Sequence, residues 1–225
     1  MDIRKKTLTI FCLVLIALTL LPILGSGRHT AEPQTLLASV NCAGSDSGND
    51  FSEATSISAD GRFVAFQSLA SDLVANDTNG HLEDVFVHDV KSGATTLVST
   101  DMAGNGSGNG GSGFPVISAD GRFVAFESDA SDLVANDSDQ GGGLGTLDVF
   151  MSDLKTGTTT LVSVNSAGTD SGNAVSGFPI ISADGRVVAF ESFARDLVAN
   201  DTNSSSDVFV RRMGRGKAFA EDERQ

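Results

Sequence analysis

Three near-copies of one stretch constrain this chain more than any other feature: SISADGRFVAFQSLASDLVANDTNG (56–80), VISADGRFVAFESDASDLVANDSDQ (116–140) and IISADGRVVAFESFARDLVANDTNS (180–204). A chain that repeats itself at a fixed period folds as repeated units, each burying its apolar face against the next. The equivalent aspartates Asp60, Asp120 and Asp184 lie 60 and then 64 residues apart. Asp77 to Asp137 is still 60, whereas Asp84 to Asp148 is 64, so the added length sits in the glycine-rich stretch between Asp137 and Asp148. In the third copy the same gap shrinks to six, from Asp201 to Asp207. Length that varies at one place marks a surface loop between rigid elements.

Within a copy the elements read as short strands. Residues 114–118 are followed by the turn Ala119–Arg122, in which Gly121 supplies the positive φ. The β-branched and aromatic run 123–128 is too short for a helix. Beyond the variable loop come a strand over 148–153, a turn at 155–157 and a fourth strand over 159–164. Apolar residues at neighbouring positions (Val124, Ala125, Phe126; Val149, Phe150, Met151) suit a sheet covered on both faces. Four meandering strands per unit, stacked on neighbouring units, make a β-propeller blade. The fold class is therefore all-β: a propeller of four-stranded blades, about three of them.

The core SerAlaAspGlyArg-x-ValAlaPhe-x-Ser (58–68, 118–128, 182–192) resembles the TolB-type repeat, a WD-like propeller repeat. The resemblance spans 35–212. It implies a protein of the bacterial envelope or exterior and protein–protein contact as its work, although hydrolases carry such repeats as accessory domains. Blade number departs from the pattern, because propellers use four to eight. Residues 35–41 match the last strand of a unit, which gives twelve strands in all. That leading strand is expected to pair with 207–212 and close the ring. Two readings of the shortfall stay open: a truncated propeller, or a homodimer completing a six-bladed ring. Residues 213–225 leave the repeat pattern and read as a disordered tail.

The first 27 residues read as a secretory signal peptide, with Arg4, Lys5 and Lys6 before an apolar stretch from Thr7 to Leu24 and small residues at 25–27. An uncleaved membrane anchor is the alternative. Either way the repeats lie outside the cytoplasm, secreted or periplasmic. With the leader removed, Cys42 has no partner in the chain and reads as a half-buried thiol. The formal net charge of −14 argues against nucleic acid and anionic membrane as partners. Sugar binding is disfavoured, since the chain has neither Trp nor Tyr to stack on a sugar face.

One recurrent pattern suggests a site. Asp77, Asn79 and Asp84 in the first copy, Asp137, Asp139 and Asp148 in the second, and Asp201, Asn203 and Asp207 in the third are oxygen donors at similar spacing. Calcium takes six to eight oxygens, so it is the candidate metal. The rival reading is that these side chains close their own loops as Asx-turns. No other cofactor is indicated.

Signals for catalysis are thin. His29, His81 and His88 recur in no other copy and read as surface residues. Glu127 and Glu191, with Gln67 in the same place, suit a hydrogen-bonding role at a blade edge better than acid–base chemistry. The sequence thus reads as a non-catalytic scaffold for protein–protein interaction, recognising its partner through loops 76–84, 136–148 and 200–207. The alternative is a remnant or accessory propeller of an extracellular hydrolase.

Overall fold

A computed structural model describes residues 33–138 and 147–214. Eleven strands form three antiparallel sheets. Sheet 1 holds β1 (Ser52–Ile57), β2 (Phe63–Ser68), β3 (Asp84–Asp89) and β4 (Ala94–Leu97) in chain order. Sheet 2 repeats that order with β5 (Ser112–Ile117), β6 (Phe123–Ser128), β7 (Asp148–Asp153) and β8 (Thr158–Leu161). Sheet 3 has β9 (Ser176–Ile181), β10 (Val187–Ser192) and β11 (Asp207–Arg212). These are propeller blades. The principal contacts join successive sheets, β2 with β5 and β6 with β9, and first strands converge, β1 with β5 and β5 with β9. The described residues close no ring.

The register explains why these sequences make blades. Phe66 faces Phe86 across β2 and β3, and the same pairing recurs as Phe126 with Phe150 and Phe190 with Phe209. Ring centroids lie 5.6, 5.9 and 5.8 Å apart in stacked geometry. Alternate side chains leave a strand on opposite sides, so each blade has a phenylalanine face and a valine face. The phenylalanine face of sheet 1 packs with Ala70, Leu73 and Leu97 of its own repeat. The valine face of sheet 1 (Ala65, Val85, Val87) packs instead on Ile117, Val124 and Phe126 of sheet 2. The valine face of sheet 2 (Ala125, Val149, Met151) packs on Val188, Phe190 and Ala194 of sheet 3.

The repeated turn completes each junction. Gly121 and Gly185 have φ near +70°, and a Cβ at either would collide with the ring of Phe63 or Phe123 from the preceding blade. Only glycine answers both demands. Arg62 and Arg122 lie over the neighbouring Phe63 and Phe123 rings and pair bidentately with Asp89 and Asp153.

Several expectations need correction. Residues 35–41 form no strand and do not pair with β11. The segment folds back locally: Val40 makes an isolated bridge to Ser47, and the Gly48 N–H donates to the Ser39 carbonyl. Local closure costs less chain entropy than pairing with a distant edge. The same small loop recurs as the bridges Thr100–Ser107 and Val164–Ser171, which is also why β8 ends at Leu161. His88 is buried rather than on the surface, its Nδ1 3.0 Å from Thr95 Oγ1 across β3 and β4. Ser152 and Thr159 fill the same slot in sheet 2. Cys42 is half-buried, as expected, and in the full chain, leader included, it is disulfide-bonded. The leader, Asp139 and residues 215–225 of the tail lie outside the described residues. Among the described residues no helix is long and apolar enough to cross a membrane.

Candidate interaction surface

The acidic loops are joined to the blade that follows. The Ser107 hydroxyl donates to Asp77 Oδ1 at 3.0 Å, the Thr78 N–H donates to Ser107 Oγ, and Asn79 Nδ2 donates to the Gly108 carbonyl. Residues 107 and 108 open the next unit, so these bonds staple blade 1 to blade 2. Between blades 2 and 3 the Ser171 hydroxyl donates to Asp137 Oδ1, while the Ser138 hydroxyl donates to Asp170 Oδ2. Loop 76–84 is thereby tied to a junction through residues 77–79, while Gly80, His81 and Leu82 stay exposed.

The strand-opening aspartates act within a blade. Asp84 and Asp148 are buried, and each accepts a 2.6 Å hydrogen bond from a serine hydroxyl, Ser99 or Ser163. The same serine oxygen accepts the N–H of Val85 or Val149, fixing the start of β3 or β7. Burial pushes the Asp84 carboxyl up to about 7, opposed by the bond from Ser99. Its Oδ2 and the Oδ1 of Asn79 are buried acceptors without a hydrogen-bond donor; a proton on Asp84 turns one of those acceptors into a donor. In blade 3, Asp207 Oδ2 accepts from Asn203 Nδ2 at 2.8 Å, and Asp201 Oδ1 accepts from the Asn203 N–H.

The structure thus brings Asp77, Asn79 and Asp84 together, and likewise Asp201, Asn203 and Asp207, chiefly through hydrogen bonds with protein donors. A calcium shell needs six to eight oxygens. Among the described residues no group of three or more acidic, histidine or cysteine side chains is placed to hold a metal ion. The donor set fits staples better than it fits calcium. The staple was hidden because its partner lies 30 residues away. The signal for it is the triplet SerGlyAsn, recurring at 47–49, 107–109 and 171–173.

A second group lies where the first strands converge. Residues 113–115 and 177–179 both read GlyPhePro, and in each the β-ladder slips by a bulge. Phe114 and Phe178 sit there with φ of 49° and 51°, a conformation bulky residues avoid and one that clusters at functional positions. Each is held from the preceding blade. The Phe114 N–H donates to Gln67 Oε1 at 2.6 Å, and the Phe178 N–H donates to Glu127 Oε2 at 2.8 Å. Gln67 and Glu127 are themselves buried, so a blade-edge hydrogen bond is their role. A side chain at Gly177 would meet the Glu127 carboxylate, which accounts for the glycine.

The two rings are 47% and 60% exposed. They meet edge to face with centroids 5.5 Å apart. Acids lie beside their backbone. Gln67 Nε2 donates to Glu83 Oε1, and burial raises the carboxyls of both Glu83 and Glu127. Glu53 adds charge beside Glu83. An exposed aromatic pair on a rigid backbone, beside desolvated carboxylates, can bind an apolar segment carrying a cation. Sequence reading placed Phe114 on a strand without foreseeing its exposure. The clue is that copy 1 has Ala54 where the others have phenylalanine.

No family model and no curated protein matches the sequence. Among solved structures the chain is similar to a protein from Agrobacterium tumefaciens assigned as TolB, at 21% identity and a TM-score of 0.44 over 72% of this chain and 46% of that one. It is also similar to TolB from Acinetobacter baumannii, at 17% identity and a TM-score of 0.39 over 74% of this chain and 33% of that one. An acylaminoacyl peptidase from Pyrococcus horikoshii is similar at 13% identity and a TM-score of 0.42, over 73% of this chain and 24% of that one. The chain thus spans under half the length of each.

Proposed function

We propose that the chain is a non-catalytic protein-binding scaffold working outside the cytoplasm, and that Phe114 and Phe178 are its anchor. The observation that carries this reading is the exposure of two phenylalanine rings on a backbone fixed by buried hydrogen bonds. Apolar area left in water at such a cost in backbone strain serves binding, because rigid aromatic anchors lose little entropy on association. The acidic rim selects partners with Lys or Arg near an apolar side chain. Export rests on the charged and apolar leader, 4–24.

One concave site supports a non-catalytic role. A groove of about 610 Å³ beside β8 has Asp101 and Arg211 as its charged lining groups and no histidine or cysteine. Peptides selected from a random library on the wild-type chain test the reading. Enriched sequences should combine aromatic or aliphatic residues with Lys or Arg, and the Phe114→Ala/Phe178→Ala variant should bind them at least about tenfold more weakly. Enrichment that survives the double variant would move the binding site elsewhere.

A further inference from the structure

Each junction in this molecule uses one set of contacts in one direction, and blades 3 and 1 retain its two unused halves. The Ala59 N–H donates to the Ala119 carbonyl at 3.0 Å, and the Ala119 N–H donates to the Ala183 carbonyl at 2.9 Å. The Ala183 N–H and the Ala59 carbonyl have no hydrogen-bond partner among the described residues. Ser107 and Ser171 are buried against Asp77 and Asp137. The equivalent Ser47 is exposed, and Asp201 keeps a buried Oδ2 without a donor. Ile117 is 7% exposed against the valine face of blade 1, whereas Ile57 is 58% exposed. Val85 and Val149 are fully buried, while the equivalent Val208 is 73% exposed.

We propose that a second copy of this chain supplies the missing halves, its blade 1 docking on the valine face of blade 3, head to tail, so that two chains form a six-bladed ring. In that junction Ile57 of the second copy covers Val208 and Val210. The Ser47 hydroxyl donates to the Asp201 carboxylate, as Ser107 donates to Asp77, and the Ala183 N–H donates to the Ala59 carbonyl. Six blades fall within the range in which propellers close, and two identical junctions give a closed cyclic assembly.

The test is sedimentation of the protein purified from cells expressing the whole chain, alone and as two single variants. The wild type is expected at twice the single-chain mass. Val208→Asp and Ile57→Asp each change a residue exposed in the single chain, so both should fold, with unchanged circular dichroism, and sediment as single chains. Mixing the two variants restores one intact junction, because the unaltered Val208 of one meets the unaltered Ile57 of the other. A two-chain species should therefore return in the mixture alone. A wild type of single-chain mass overturns the proposal. So does an Ile57→Asp variant that stays paired, which is the mark of two valine faces meeting each other. An assembly larger than two chains overturns the closed ring.

Discussion

Sheets 2 and 3 carry nearly the same strand sequences and meet different surroundings. Phe150 is buried between two blades, while its equivalent Phe209 is half-buried. Val149 is buried by blade 3, and its equivalent Val208 faces solvent. Blade 1 has no described predecessor, yet Phe66 and Phe86 are buried all the same. The asymmetry has a local cause. Each blade folds its own Ala-x-x-Leu segment (70–73 in blade 1) over its phenylalanine face, and depends on the next blade to cover its valine face. Equal sequence therefore does not give equal burial, and stability should track cover.

The sharpest break of this comparison is a charge placed at the two valines. Val149→Asp strands a carboxylate in the blade 2–3 junction and should cost more than about 4 kcal/mol, with loss of cooperative unfolding in urea. Val208→Asp should change single-chain stability by less than about 0.5 kcal/mol. Next comes Phe150→Ala, expected to cost about 3–5 kcal/mol, against roughly half of that for the less buried Phe209→Ala, both read from denaturant midpoints. Equal losses at the two phenylalanines would show that cover does not set the energetics.

A pH series sharpens the same point within blade 1. The folded Asp84 carboxyl, at about 7, lies above its ordinary value of 3.8, so the native state holds a proton that the unfolded chain releases. Stability from this group is complete below about pH 4 and falls as pH rises towards 7, with a limiting slope of about 1.4 kcal/mol per pH unit. Asp84→Asn should flatten that slope in denaturation curves at pH 4, 5.5 and 7. Asp89 and Asp153 behave in the opposite sense, since their arginine partners lower both carboxyls; what they add is lost only as pH falls below about 4.

A smaller effect is expected from Ser107→Ala, about 1 kcal/mol for the lost staple to Asp77, against no measurable loss from Ser47→Ala in the single chain. Chelation of divalent cations is expected to leave the melting midpoint unmoved. A drop of several degrees would put a cation among the acidic loops, because a ligand held only by the native state raises its stability.

Strands 123–128 and 148–153 have the ends read from the sequence, because three aligned copies fix where a run starts and stops. The phenylalanine core was legible for the same reason. What escaped depends on partners distant in the chain or on local closure. The Asp77–Ser107 staple joins residues of different copies, so no spacing within one copy reveals it. Residues 35–41 resemble a fourth strand, yet closing on Ser47 and Gly48 is nearer at hand than reaching β11. The exposure of Phe114 and Phe178 follows from a bulge, and alternation of apolar residues cannot register a bulge.

The one-sided dependence of each valine face has a consequence for how the molecule comes apart. In the single chain, peeling should begin at blade 3, whose valine face is already open, and travel backwards through the chain. A protease would then shorten the protein in whole blades from its C-terminal side, leaving sheet 1, with its phenylalanine face roofed by its own loop, as the most durable fragment.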